Sequence, residues 1–385
     1  LVSLKPPAER LTTFYVVLSI GGALGGAMVS LVAPRIFTGY YEFNAGLIAC
    51  LMLLLMLRRR DRWLALPAVE RRRRQWGATL VLVAIAAGTM GAIRGISTLR
   101  PEDDQIELAA ARNFYGCLRI VRFEANDSSL GRTVMVHGNT THGVQFESAQ
   151  RRREPTMYYR LAGGAGLAIE QHPVYVRAER PLRVGVVGLG CGTLASYARP
   201  GDCYRYYEID PLVIDLAEAS FSFLSDARER GADVLVHPGD ARIVLQRQLD
   251  ARQPQAFDVL VVDAFNSDSI PLHLITRECF DLYRAHLADG GLLAVHVSNR
   301  HLDLRGVVAQ MAFEAGQSAL WIHCDEDPQA QGREFGSASD WMLVTSNQEF
   351  LARGAVLAAE AMLPADLPRA TLTDDFGSLF QLLRH

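Results

Sequence analysis

Residues 183–193, RVGVVGLGCGT, carry the clearest structural signal in the chain. Its first five residues include three valines and predict a buried strand. Three glycines at alternate positions, Gly188, Gly190 and Gly192, follow before a predicted helix. Glycine lets the backbone approach a ligand closely where a side chain would block it. The strand, loop and helix together indicate an α/β fold that binds a ligand at this loop.

Acidic residues stand at the ends of the next predicted strands. YRYYEID ends in Glu208 and Asp210, and an acid at this tip is the residue type that binds a ribose diol. The loop and this acid fit NAD and S-adenosylmethionine equally well. The third strand, DVLVH, leads to Asp240. A carboxylate there can accept a hydrogen bond from an adenine amino group, which favours S-adenosylmethionine. The fourth, FDVLVVD, ends in Asp263 at the same edge.

Strands and amphipathic helices alternate after Pro181, which predicts a doubly wound α/β sheet of the Rossmann-like type. The seven strand candidates are RVGVV, YRYYEI, DVLVH, FDVLVVD, GLLAVHV, ALWIH and SDWMLVT. Residues 112–145 contain short apolar runs with turns at residues 126–128 and 138–139, which predict a small β module in front of the main domain.

The first quarter of the chain is apolar and contains three candidate membrane spans, at residues 11–32, 44–57 and 76–93. We therefore predict a transmembrane region at 1–98 with two to three helices, a small β module with a substrate-side segment at 99–180, and a catalytic cofactor-binding domain at 181–385. The arginines between the second and third candidates place that loop in the cytoplasm by the positive-inside rule. If the third segment crosses, the domain lies outside.

A domain that uses a cytosolic nucleoside should remain inside, so we expect an integral protein of the inner or plasma membrane with a cytoplasmic catalytic domain. The net charge of −3 offers no basic surface for nucleic acid, and no nucleic-acid partner is expected. The six cysteines form no C-x-x-C pair, which indicates neither a metal site nor a disulfide framework.

Four motifs, GVVGLGCGT, YYEIDP, HPGDAR and VLVVDAFNSDSIP, resemble the successive motifs of spermidine synthases and related polyamine aminopropyltransferases, a branch of the class I methyltransferase fold. The resemblance runs from about residue 112 to the C-terminus. The apolar front end resembles the membrane-fused, spermidine-synthase-like branch. The resemblance implies polyamine biosynthesis, with transfer of an aminopropyl group from decarboxylated S-adenosylmethionine to an amine, and a homodimer.

The resemblance also implies roles for individual residues. The three loop glycines would contact the cofactor, Glu208 would hold its ribose hydroxyls and Asp240 its adenine. Asp263 would be the acid-base residue. Tyr158 or Tyr159 would supply the family's catalytic aromatic group, and the substrate would meet His142, Gln145, Asn266 and Asp268. An amine of pKa about 10 must lose its proton before it attacks, and a carboxylate at Asp263 can accept that proton.

Two departures from the family pattern leave the substrate open. Asn266 stands where the family has a second aspartate, with Asp268 displaced, and Cys191 replaces an aspartate of the glycine loop. Fewer carboxylates make a poorer site for a polycation, which favours an alternative: a methyltransferase that uses intact S-adenosylmethionine on another acceptor. A second alternative is a transporter or sensor whose domain only binds the ligand.

Three further interpretations concern single residues. Cys191 is expected to be a small packing residue rather than a reactive thiol. His296, within an apolar strand, is interpreted as a core histidine. Asp374 and Asp375 either return a carboxylate to the site or cap a helix.

Overall fold

The computed structural model describes residues 6–64, 105–125, 127, 129–138, 140–264, 271–325 and 337–383. The chain divides into two compact units, Leu1–Gln105 with Ala110–Cys117, and Ile106–Ala109 with Leu118–His385. The third candidate span at 76–93 and the predicted substrate residues Asn266 and Asp268 lie outside the described residues. The predicted domain limits at residues 98 and 180 stay predictions.

The first unit begins with a long apolar helical run, Ala8–Ile36, which has a mean hydropathy of 2.0 over its most apolar window, itself only 6% buried. It comprises α1 (Leu11–Ala27), a π-helical turn (Met28–Val32) and α2 (Ala33–Ile36). Among the described residues this is the one helix long and apolar enough to cross a membrane, a criterion that signal sequences and core helices of soluble proteins also meet. The second candidate span lies in α3 (Tyr41–Leu64), whose described apolar part, Tyr41–Leu53, is shorter.

An ion pair neutralises the acidic residue at the start of α3. Arg112 donates to both carboxylate oxygens of Glu42, at 2.6 and 2.9 Å, and its guanidinium lies 4.6 Å from the centre of the Tyr40 ring. Both side chains of the ion pair are nearly buried, with exposures of 4% and 12%. Because each charge has its partner, Glu42 can lie in the first turn of α3, whose next residues are largely apolar.

A small four-stranded sheet matches the predicted β module. Its order is β1-β2-β3-β4, and β3 pairs antiparallel with both β2 and β4. The strands are β1 (Gln105–Arg112), β2 (Cys117–Phe123), β3 (Arg132–His137) and β4 (Thr140–Phe146). The helices α4 (Gly164–Glu170) and α5 (Pro173–Arg177) then lead into the main sheet.

The main sheet has eight described strands in the order β12-β10-β11-β9-β8-β5-β6-β7. The pairs within β7-β6-β5-β8-β9 are parallel, and the remaining three pairs are antiparallel. The strands are β5 (Arg183–Val187), β6 (Cys203–Glu208), β7 (Asp233–Pro238), β8 (Phe257–Val262), β9 (Leu287–His296), β10 (Ser318–Cys324), β11 (Ser339–Thr345) and β12 (Glu360–Ala361). This is the strand order of the class I methyltransferase fold, so the predicted doubly wound α/β sheet is confirmed.

The connecting helices cover both faces of this sheet, as a parallel sheet requires. Alternate residues of β8 enter different cores, with Val259 and Val261 on one side and Leu260 and Val262 on the other. The helices are α6 (Pro211–Ser220), α7 (Phe223–Glu229), α8 (Ala241–Asp250), α9 (Arg277–Ala285), α10 (Arg305–Glu314), α11 (Gln348–Leu351) and α12 (Gly354–Ala359). The strand order reverses between β5 and β8, and ligands of open α/β sheets bind outside such a reversal, at the carboxyl ends of the strands.

Candidate active site

The glycine loop after β5 is packed too closely for side chains at two positions. Gly188 and Gly190 have φ angles of 96° and 54°, which L residues other than glycine rarely adopt. A Cβ atom on Gly188 would lie 2.3 Å from the carbonyl oxygen of Asp263, and one on Gly190 would lie 3.0 Å from that of His142. The loop is therefore held between the end of β8 and strand β4.

Cys191 is a packing residue in this loop, as the sequence predicts. Its side chain is buried, with Sγ 3.1 Å from the hydroxyl of Thr193. A Cβ atom on Gly143 of β4 would meet that sulfur at 2.1 Å, so β4 needs glycine where it meets the loop. Burial raises the pKa of the Cys191 thiol to about 11, which keeps it protonated at neutral pH.

Glu208 connects the tip of β6 to the glycine loop. One carboxylate oxygen accepts the amide of Leu189 and the other accepts the amide of Asp210, both at 2.9 Å. Burial raises the pKa of Glu208, although these two bonds act in the opposite direction. A carboxylate has about four acceptor positions, so each oxygen can still accept a hydroxyl.

Asp240 caps helix α8 and also contacts a histidine. One carboxylate oxygen accepts the amide of Ile243 at 3.1 Å, and the other lies 2.8 Å from Nε2 of His273. The exposed fraction of its side chain is 17%, so it stands at the rim of the fold. The predicted contact with adenine would have to be shared with the His273 ring.

Asp374, one of the two C-terminal acids interpreted above, contacts two other elements of the domain. Its carboxylate forms an ion pair with Arg242, with one contact of 2.7 Å, and accepts the hydroxyl of Thr276 at 2.9 Å. Asp374 therefore ties the C-terminal segment to α8 and to the start of α9 and does not cap a helix.

Asp263 is the centre of a buried polar cluster directly after β8. One of its oxygens lies 2.7 Å from Nδ1 of His296, and the other accepts the hydroxyl of Tyr159. Only 3% of the Asp263 side chain is exposed. Burial raises the pKa of Tyr158 and Tyr159, and the charge of Asp263 acts in the same direction, so both phenols stay protonated. The three residues predicted to be catalytic are thus brought together.

His142 lies close to the same cluster. Its Nε2 is buried without a hydrogen-bond partner among the described residues, and its ring centre is 5.3 Å from that of His137. Burial first, and then the neighbouring His137, lower the pKa of His142 to about 4, while Asp263 acts in the opposite direction. This imidazole is therefore neutral at physiological pH.

Gln145 has a different environment from the one expected of a substrate ligand. Its amide nitrogen donates to the carbonyl of Arg152 at 2.8 Å and to the hydroxyl of Ser222 at 3.0 Å, and its oxygen accepts the Ser222 amide at 2.9 Å. It lines a cavity of about 420 Å³ together with Arg122 and Phe221. These contacts join β4 to the start of α7 and do not include the Asp263 cluster.

Two residues of the cluster were not identified from the sequence. His296, interpreted above as a core histidine, bonds directly to Asp263, and Trp341 stacks on its ring at 4.6 Å. The missed signal was strand order, because β9 lies beside β8 in the sheet and the two strands end within one residue of the same level. Val262 pairs with Val295, so the next residue of each strand lies at the same level.

The chain thus contains an α/β domain with a glycine loop and a buried polar cluster around Asp263, both at the carboxyl ends of parallel strands. No family model matches the chain. A polyamine aminopropyltransferase of Vibrio vulnificus is 30% identical over 180 residues, 46% of this chain and 55% of the relative. A probable polyamine aminopropyl transferase of Bifidobacterium longum is 26% identical over 178 residues, 44% of this chain and 34% of the relative.

An N-terminal histidine N-methyltransferase of Emericella nidulans is 32% identical over 121 residues, 31% of this chain and 20% of the relative. Among solved structures, a probable spermidine synthase of Corynebacterium glutamicum is 18% identical, with a TM-score of 0.45 over 65% of this chain and 88% of that one. The chain spans about half or less of the length of these sequence relatives. Over the matched region the chain is similar to polyamine aminopropyltransferases.

Proposed function

We propose that this protein is a transferase that moves an aminopropyl group from decarboxylated S-adenosylmethionine to an amine. The observation that carries the proposal is the Asp263 cluster, a buried carboxylate with Tyr159 and His296 bound to its two oxygens and the glycine loop against its backbone. The similarity to the aminopropyltransferase of Vibrio vulnificus supports it.

The residues at the carboxyl edge of the sheet fit a nucleoside sulfonium. Glu208 presents two oxygens that have acceptor positions left for ribose hydroxyls. Asp240, at the end of the next strand, supplies an acceptor for an adenine amino group. The neutral His142, with its orphaned Nε2, supplies a polar group close to Asp263. When bound, the sulfonium supplies a carbon already activated for displacement, so the residues need not activate it further.

Asp263 performs the proton transfer in this proposal. A free amine has a pKa of about 10 and arrives protonated, and only its neutral form carries the lone pair that attacks carbon. Asp263 can accept a proton from the amine and hold the amine facing the glycine loop. This combines positioning with general-base action. Tyr158 and Tyr159 keep their protons and therefore act as hydrogen-bond donors.

The chain's attachment to a membrane is part of the same proposal. The apolar run Ala8–Ile36 would anchor the protein in the inner or plasma membrane, as in the membrane-fused branch of the family, with the catalytic domain in the cytoplasm. A homodimer is proposed from the family resemblance alone.

The test of cofactor choice is calorimetric titration of the detergent-solubilised full chain with decarboxylated and, separately, intact S-adenosylmethionine. Asp240→Asn tests the predicted contact with adenine, since asparagine still caps a helix but presents an amide in place of the carboxylate. We expect the decarboxylated form to bind more tightly, and the variant to weaken it by about 10-fold, the value of one hydrogen bond to a charged group. Tighter binding of the intact form would favour the methyltransferase, and binding of neither would refute both functions.

The test of catalysis is release of methylthioadenosine in the presence of diamines, measured by mass spectrometry. Asp263→Asn keeps the size of the side chain and removes the base, so we expect kcat to fall by about 10²- to 10⁴-fold. Affinity for the decarboxylated cofactor should change little. Asp215→Asn, on the exposed face of α6, is the matched control. Full activity of the Asp263 variant would show that this carboxylate is not the base.

A further inference from the structure

We propose that His296 is the positioning residue of the Asp263 site, the middle of a directed hydrogen-bond chain from the Asp340 amide through Ser298 to the carboxylate. The role of this hydrogen-bond chain in turnover rests on the proposed function. The existence of the hydrogen bonds does not, because the protonation of His296 can be measured in the protein without substrate.

Strand register brings His296 to Asp263. The parallel pair β8 and β9 aligns Val262 with Val295, so Asp263 and His296 follow at the same level. On its other side β9 pairs antiparallel with β11, and Trp341 lies directly opposite His296. The position of the imidazole is therefore set by the core of the sheet rather than by a loop.

Two aromatic rings fix the plane of the imidazole. Tyr158 lies 4.6 Å from it at an angle of 25°, and Trp341 lies 4.6 Å from it on an almost parallel plane, at 21°. His296 is 7% exposed and Trp341 is fully buried. A ring stacked in this way can use only its two in-plane nitrogens, and both have partners.

The distances assign a direction to each hydrogen bond. The Ser298 hydroxyl oxygen accepts the Asp340 amide at 2.7 Å, while the Asp340 carbonyl is 3.5 Å away. The hydroxyl hydrogen of Ser298 therefore points to Nε2 of His296, which lies 2.8 Å from the Ser298 oxygen. With Nε2 as the acceptor, Nδ1 carries the ring's proton and donates to Asp263 at 2.7 Å.

This direction has a consequence for Asp263. The Asp263 carboxylate is only 3% exposed, and its two oxygens are held by one donor each, from His296 and from Tyr159. Each oxygen keeps an unused lone pair. Asp263 takes the proton of the protonated amine, the neutral nitrogen then forms its bond to carbon as the carbon–sulfur pair leaves with sulfur, and the product leaves as an ammonium. His296 keeps its Nδ1 proton throughout and acts only through the carboxylate.

The direct test uses the full chain in detergent with ¹⁵N-labelled histidine. Long-range proton–nitrogen spectra distinguish the tautomers, and His296→Gln identifies which of the ten histidine signals belongs to His296. We expect a neutral ring protonated at Nδ1, whose signals shift in Asp263→Asn and Ser298→Ala but not in His301→Gln, an exposed control. A ring protonated at Nε2, or an imidazolium at pH 7, would overturn the inference.

The kinetic test compares His296→Ala and His296→Gln with the wild type. Both substitutions remove the Nδ1 donor, and only glutamine can restore a hydrogen bond to the Asp263 carboxylate. We expect kcat to fall by about 10- to 100-fold in the alanine variant, with KM for the sulfonium substrate nearly unchanged and partial recovery in the glutamine variant. An unchanged kcat in the alanine variant, or no recovery in the glutamine variant, would refute the role in turnover. If the wild type shows no turnover, the proposed function fails, and the spectra alone decide the hydrogen-bond chain.

Discussion

His142 shows how a single buried imidazole can sense acid in this fold. Its Nε2 has no hydrogen-bond partner in the part of the chain that the structure describes, and its pKa is lowered to about 4 by burial and by His137. An unfolded histidine has a pKa near 6.5, so the unfolded chain takes up a proton that the folded site refuses. The folded state therefore loses stability as pH falls from about 6.5 towards 4.

Replacing His142 with asparagine should reduce this pH dependence. Between pH 7 and pH 5 we expect the variant to lose about 2 kcal/mol less unfolding free energy than the wild type, because it lacks the proton linkage. Denaturant unfolding of the solubilised full chain at both pH values measures the difference. His301→Asn, at an exposed position, is the control. Equal losses in wild type and variant would show that the site accepts the proton freely.

At the scale of elements, one buried acid connects the starting ends of the central strands. Asp202 is 2% exposed and accepts the amide of Leu182, just before β5, at 2.7 Å and that of Arg199 at 2.9 Å. Its carbonyl accepts the amide of Asp233, the first residue of β7, at 2.8 Å. These bonds fix the ends of the strands opposite to the site, and the register carries their alignment through to Glu208 and Asp263.

Asp202→Ala should destabilise the domain by about 2 to 4 kcal/mol, because it leaves one buried and one part-buried amide without an acceptor. Asp202→Asn keeps one carbonyl acceptor and should cost about half as much. Thermal and denaturant unfolding measure both, and Asp215→Ala, on the exposed face of α6, serves as the reference. A change below about 0.5 kcal/mol in the alanine variant would mean that water or a rearranged turn replaces the carboxylate.

At the scale of the whole molecule, an apolar helix precedes a domain whose proposed substrates are small and polar. The run Ala8–Ile36 has 29 residues. At 1.5 Å per residue it reaches about 43 Å, more than the roughly 30 Å hydrocarbon core of a bilayer. Its side chains are largely exposed, as a helix in lipid requires and a core helix does not.

The membrane proposal makes two linked predictions. The full chain should remain in the membrane fraction after alkaline carbonate, because an apolar helix of this length leaves lipid only at a large cost. A green fluorescent protein fused to the C-terminus should fluoresce, and an alkaline phosphatase fusion should be inactive, if the catalytic domain is cytoplasmic. Release by carbonate would contradict the anchor, and an active phosphatase would place the domain on the other side.

Much of the site could be predicted from the sequence because its signals are local. Glycines at positions 188, 190 and 192 follow a valine-rich strand, and acids follow the next three strands. Parallel strands bring their carboxyl ends to one edge, so the pattern alone predicts that these residues approach one another. The environment of Gln145 and the partner of Asp374 depended on helices α7 and α8, and no local pattern indicated either.

Local sequence patterns predicted seven of the eight described strands of the main sheet, the glycine loop and the acids at the strand ends, because backbone preference and hydrophobic period act over a few residues. The set of side chains around Asp263 depends instead on the folded sheet. The Asp263 partners Tyr159 and His296 lie 104 and 33 positions away along the chain. Such contacts depend on strand register and on packing around Trp341, which are properties of the folded sheet and not of any one segment.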